Sequence, residues 1–265
     1  MARNFTSAED IMTNPLFTAG CVFILLFCAA ILGMCLQARL PEHHLRKATK
    51  DAVRIGMGSV ATMAALVLGL LVASAKGTYD TEKNEVIDMS SKIVYLDHLL
   101  KNYGSEAKEC RSVLRSATLS TIYRLWPETN VQEGEPPPST TWSRELPLSI
   151  QKLFPKNDTQ RTFKSQAADL ARELGQMRWL LHEQSESSIS TPMLVIMVFW
   201  LALTFISVGL FAPANATAIL AQLLAALSVA GAIFLILELD HSFSGFIRIS
   251  SKPFLNALSQ LATSS

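Results

Sequence analysis

Four stretches of this chain, Phe17 to Leu36, Ile55 to Ala75, Met193 to Ala212 and Ala216 to Leu237, contain no Asp, Glu, Lys, Arg or His. A hydrocarbon core roughly 30 Å thick needs about 20 such residues to be crossed by a helix. Helices are the form these stretches must take, because only a helix satisfies all its backbone groups within one isolated segment in lipid. The chain is therefore read as all-α and integral to a membrane, with two pairs of spans around a polar, helix-patterned middle. Four regions follow: 1–77 with spans one and two, 78–191 as an extramembrane helical bundle, 192–238 with spans three and four, and 239–265 as a tail with a short helix. The first span is longer than the apolar core of a signal peptide and has only Arg3 as positive charge ahead of it, so it reads as an uncleaved helix.

Charge excludes one class of partner. The chain has 23 basic and 22 acidic residues, which gives no electrostatic reason to expect nucleic acid. Basic residues concentrate in the loop Gln37 to Arg54, which carries Arg39, Arg46, Lys47, Lys50 and Arg54 against Glu42 and Asp51. Their density argues for a cytoplasmic loop. Lys76, Lys83, Arg172, Arg178, Arg248 and Lys252 flank spans elsewhere, so the side that holds 78–191 stays open.

The middle region has two helical stripes. One runs through Val86, Met89, Ile93, Leu96 and Leu100, with no Pro between Ile55 and Tyr103, so span two is expected to continue as a helix beyond the membrane. Gly104 and Ser105 mark a stop and a restart, with a second helix from about Glu106 to Leu125 that Trp126-Pro127 ends. Residues 128–147, rich in Glu, Pro, Ser and Thr, read as a loop. Asn157 or Asp158 caps a further helix with the stripe Phe163, Ala167, Leu170, Leu174, Met177 and Leu181. Two such stripes predict a bundle, or contacts between subunits. Pro192 opens span three, only Pro213-Ala214-Asn215 separates it from span four, and Ser251 opens a last short helix with Pro253 in its first turn.

Candidate functional residues lie mainly on span two. Gly58, Ala61, Thr62, Ala65, Gly69, Ala73 and Gly77 form a row of small side chains. Such rows let backbones approach closely in lipid, either within one subunit or at the axis of an oligomer. Met63, Val67 and Leu71 lie opposite, and around a pore they would form a water-excluding constriction. Glu238 and Asp240, just past the last span, are a candidate ion site or simply solvated carboxylates. Cys21, Cys28 and Cys35 recur every seven residues on one face of span one, where cysteines most often act as small apolar groups at a helix contact. Cys110 has no partner for a disulfide in the middle region. Glu42, His43 and His44 invite a metal reading, but adjacent residues on a helix project about 100° apart and do not make a one-face ligand pair. No Walker loop, G-x-S-x-G, C-x-x-C or H-E-x-x-H occurs, so neither an enzyme nor a resident metal or cofactor is expected.

Several motifs recur in order in one family. Leu40-Pro41-Glu42-His43-His44-Leu45, the stretch Thr62 to Leu71 with Ser74-Ala75-Lys76, Leu96-Asp97, Tyr103-Gly104, and Leu239 to Gly245 with Ile247 to Ser250 resemble the bacterial bestrophin-like domain family of unknown function, from about Leu36 to Leu258. That resemblance implies a bacterial inner-membrane, multi-pass protein. It further implies likeness to bestrophins, pentameric anion channels, chloride among their ions, with four membrane helices per subunit and a pore lined by the second. It also implies cytosolic termini, against the density argument for the loop Gln37 to Arg54. The family pattern has a Pro before the Phe-x-Gly of the last motif where this chain has Ser242, and span two lacks the aromatic residues of a bestrophin neck. The expectation is a homo-oligomeric channel whose axis is lined by span two; the alternative is a non-conducting scaffold or sensor that acts through its extramembrane bundle.

Overall fold

A computed structural model of the chain describes residues 14–37, 39, 47–127, 141–184, 191–213 and 215–263. Eight α-helices are present among them: α1 (Pro15–Gln37), α2 (Lys47–Tyr103), α3 (Lys108–Leu125), α4 (Leu146–Gln151), α5 (Asp158–Gln184), α6 (Thr191–Phe211), α7 (Ala216–Asp240) and α8 (Lys252–Thr263). No strand occurs among the described residues. Four of the helices are long and apolar enough to cross a membrane: α1, α2, α6 and α7. The all-α membrane architecture expected from the four charge-free stretches stands.

The chain divides into two compact units, Met1–Thr78 with Ser187–Asp240, and Tyr79–Glu186 with His241–Ser265. Helix α2, 57 residues without interruption, contributes its first part to one unit and the remainder to the other.

In the first unit α1 packs on α6 and on α7. Its buried face is Ala19, Val22, Leu26, Ala29, Ala30, Gly33 and Met34. Small residues dominate where the backbones meet. A methyl added at Gly33 would lie 2.2 Å from the carbonyl oxygen of Ile206, and one added at Gly209 would lie 2.2 Å from that of Ala30. The two glycines thus open reciprocal gaps for each other's helix, which is how helices associate when lipid offers no hydrophobic drive. The cysteines are not part of this contact. Cys21, Cys28 and Cys35 are exposed and stand off the buried face of α1, because a seven-residue repeat keeps them on one side. Pro213 and Asn215 make the short link between α6 and α7; Asn215 caps α7, accepting the Ala218 N–H at 2.8 Å on its side chain.

In the second unit both predicted stripes enter one core. Val86, Met89, Ile93, Leu96 and Leu100 are buried along α2, with Ala167, Leu170, Leu174 and Leu181 along α5, and Phe163 and Met177 pack against them. Asn157, not Asp158, caps α5: its side chain accepts the Gln160 N–H at 2.7 Å. At the other restart Gly104 has φ 126 and a 3-10 turn over Ser105–Ala107 precedes α3, so the α-helix begins at Lys108 and Ser105 supplies no side-chain cap.

The loop expected over 128–147 is shorter. Residues 128–140 lie outside the described part, but Thr141–Glu145 is already a wide helical turn that leads into α4. Two causes act together. Trp142 is fully buried with its indole N–H donated to Thr121 Oγ1 at 2.8 Å, and Pro147 stands in the first turn of α4, where a missing N–H does no harm. Lys164 of α5 then caps the end of α4, donating to the carbonyls of Gln151 and Leu153 at 2.9 and 2.7 Å.

Replacing Gly33 or Gly209 with Ala forces a methyl onto the facing backbone, and overpacking of this kind destabilises by about 1–3 kcal/mol. The melting temperature of the detergent-solubilised protein should fall for both variants. Gly20→Ala, where the added methyl meets nothing within 4 Å, should leave it level or raise it.

Candidate pore helix and the segment after the last span

Most of the row of small residues on α2 is uncovered within the chain. Gly58, Thr62, Ala65, Gly69, Ala73 and Gly77 are exposed and Ala61 is half-buried. A methyl added at Gly58, Gly69 or Gly77 would meet nothing within 4 Å, in contrast to the backbone collisions at Gly33 and Gly209. The face that α2 does bury carries Ala64, Leu71 and Ala75. Of the most apolar 18 residues of α2 only 11% are buried, against 28% in α6 and in α7 and 39% in α1. Helix α2 is thus the least covered of the four.

The three constriction candidates do not share one face. Met63 is 60% exposed, Val67 is half-buried and Leu71 is buried at 6%. Four-residue spacing advances about 40° around the helix at each step, and over two steps this carries Leu71 into its own subunit. The uncovered large side chains instead follow a three-then-four step through Met63, Leu66 and Leu70, with Leu66 at 70% and Leu70 at 63%. The sequence does not mark Leu66 and Leu70, because the run from Met63 to Ala73 holds no polar residue to show which side faces out.

At the end of α7 Glu238 is 2% exposed, a buried carboxylate rather than a solvated one, while Asp240 is half-buried. No group of three or more His, Cys, Asp or Glu that could hold a metal ion occurs among the described residues. Glu42, His43 and His44 lie outside the described residues.

Beyond α7 the chain makes a hydrogen-bonded turn. Ser244 N–H donates to the His241 carbonyl at 3.1 Å, Ile249 N–H donates to the Ser242 carbonyl at 2.7 Å, and Gly245 takes φ 83, a conformation glycine adopts without a side-chain clash. Trp126 closes this turn onto α3: its indole N–H donates to the Ile249 carbonyl at 2.7 Å, and Phe243 meets its ring edge-on at 5.7 Å. Phe254 of α8 packs against the same indole.

Polar contacts in the second unit are structural pairs. Lys92 donates to Asp88 at 2.7 Å and to Glu173 of α5 at 2.6 Å. Those hydrogen bonds, Asp88 first, push its ammonium above the usual lysine range although burial opposes them. Glu106 lies 2.5 Å from Lys156, and the hydrogen bond from that ammonium holds its carboxyl below the usual range. Cys110 is buried, which raises its thiol and keeps it in the unreactive protonated form.

Residues 24–254 match the family model described as Bestrophin-like domain. The chain belongs to that family. No curated protein matches it. Solved structures agree on the fold: one point variant of a bacterial bestrophin homologue from Klebsiella pneumoniae superposes with a TM-score of 0.68 at 11% identity, covering 96% of this chain and 98% of the other. Another gives 0.64 at 13% identity, covering 92% and 97%.

Placed in this bestrophin-like fold, several recurring motifs have structural roles. Leu96 is fully buried, and Asp97 beside it, 4% exposed, is held by the Arg111 guanidinium at 2.7 and 3.3 Å. Tyr103 is buried at 2% and its carbonyl accepts from Gln160 at 2.8 Å, while Gly104 supplies the positive φ that ends α2. Truncating one partner of a buried pair strands the other charge, at about 3–5 kcal/mol. Arg111→Met should therefore lower the stability of the detergent-solubilised protein by that order. Adding Asp97→Leu to it should recover part of the loss, as read from the melting temperatures of the two variants.

Proposed function

We propose that this protein is a homo-oligomeric ion channel of the bacterial inner membrane, with the uncovered face of α2 lining the conduction path. The observation that carries the reading is that α2 presents both a small-residue row and a stripe of large apolar residues that nothing in its own subunit covers. The part of the row from Thr62 to Gly77 lets copies of α2 approach one another closely around an axis. Met63, Leu66 and Leu70 then form successive apolar rings, a constriction that gates by excluding water. Membership of the bestrophin-like family supports a channel over an enzyme, and likeness to bestrophins supports anions such as chloride and a pentamer. Glu238 and Asp240 stand at the end of α7 as a candidate ion site for cations that modulate the path.

Reconstituted into planar bilayers, the protein should conduct. Met63→Thr, Leu66→Thr and Leu70→Thr should each raise the conductance by roughly twofold or more as the rings wet more readily. Leu71→Thr should act on melting temperature instead. A well-folded oligomer that passes no ion under any voltage, pH or calcium concentration would overturn the channel reading and leave that of a membrane-anchored scaffold.

A further inference from the structure

A second feature of the membrane unit lies where α2 begins and α6 ends. Met57, Gly58 and Ala61 of α2 face Val208 and Phe211 of α6 across a cavity of about 500 Å³, a size typical of sites for small organic molecules. Its walls come from the first turns of the charge-free stretch of α2 and the last turn of that of α6, so it sits where hydrocarbon gives way to headgroups. The wall is open at Gly58, where a methyl would meet nothing within 4 Å. Thr204 and Ser207 of α6 add hydroxyls to a lining that is otherwise mostly apolar below the mouth, so an acyl chain covers more of that wall than water does.

The mouth carries two opposite charges. Asp51 and Arg54 both line the cavity and both are exposed. Three residues apart on a helix, their Cβ atoms are about 5–6 Å from each other, yet no ion pair joins them among the described residues. A phosphate alone would face the Asp51 carboxylate, and an ammonium alone the Arg54 guanidinium. A headgroup that bears both charges within that distance satisfies the two together, and a primary ammonium also donates hydrogen bonds to the carboxylate, which a quaternary one cannot. We infer that this cavity binds one membrane phospholipid with a phosphoethanolamine headgroup, its phosphate on Arg54, its ammonium on Asp51 and an acyl chain along Met57, Ala61 and Phe211. The inference does not rest on conductance, and it holds or fails whether or not the protein passes ions.

The full-length protein, stripped of lipid in detergent, is mixed with phosphatidylethanolamine, phosphatidylglycerol, phosphatidylcholine or inorganic phosphate. Retained lipid is counted by native mass spectrometry and the melting temperature is followed. Phosphatidylethanolamine should be retained most and should raise the melting temperature. Arg54→Gln should weaken that retention by about tenfold, the usual worth of a hydrogen bond to a charged group. Asp51→Asn should reduce phosphatidylethanolamine to the level of phosphatidylcholine and leave phosphatidylglycerol unchanged or tighter. Both variants lie on the exposed start of α2, so their melting temperatures without lipid should match the parent's. Tighter retention of phosphatidylglycerol by the parent, as Lys47 and Lys50 in the first turn of α2 would give on their own, overturns the inference. So does a shift reproduced by inorganic phosphate, an equal response to all lipids, or a cavity closed by a neighbouring subunit, seen as variants that change subunit number but not lipid retention.

Discussion

A methyl on Gly33 would strike the Ile206 carbonyl and one on Gly209 would strike that of Ala30, so α1 and α6 can meet at this distance only because both side chains are missing. In lipid the gain from such an approach is dispersion and close fit, since apolar surface is no better off against protein than against acyl chains. This contact uses the small residues of α1 and α6 within the subunit. It leaves most of those of α2, from Thr62 to Gly77, exposed.

The second unit is patterned differently. Its helices mix apolar with charged positions, and their periodic apolar stripes meet: Val86, Met89, Ile93, Leu96 and Leu100 of α2 share one core with Leu170, Leu174 and Leu181 of α5. Several polar groups trapped by this burial find partners. Asp97 takes Arg111, Trp142 takes Thr121, and Trp126 takes the Ile249 carbonyl. The last of these also fixes where the chain goes after α7, because the acceptor belongs to the segment that leads into α8.

This difference in pattern explains what is legible in the sequence. Charge-free length marks the four spans, and three-and-four spacing marks both stripes of the second unit, because there the contrast between apolar and polar positions encodes which side is buried. Inside a span no position is charged and few are polar, so periodicity says little about facing. Spacing alone pairs Leu71 with Met63, yet Leu71 lies buried, whereas Leu66 and Leu70 stand exposed. The cysteine row of α1, which the same reasoning puts at a helix contact, lies on the uncovered side. Gly33 and Gly209 escaped notice because a single glycine in each of two distant spans makes no pattern. The helical turn at Thr141–Glu145 was hidden behind Pro147, a residue that breaks a helix in its interior but not in its first turn.

The departure at Ser242 bears on the motif that follows α7. The bond made there is from the Ile249 N–H to the Ser242 carbonyl, and a proline at 242 would keep that carbonyl. Closure of the turn depends instead on Gly245, whose φ of 83 a side chain would strain, and on the Trp126 indole that ties Ile249 to α3. Ser and Pro are thus interchangeable for this bond, while Gly245 and Trp126 are not. The order of the motif, acidic helix end, turn, glycine and buried Ile249, follows from folding the tail onto the bundle. An ion site at Glu238 and Asp240 is a separate matter, to be judged by those carboxylates rather than by the glycine turn after them.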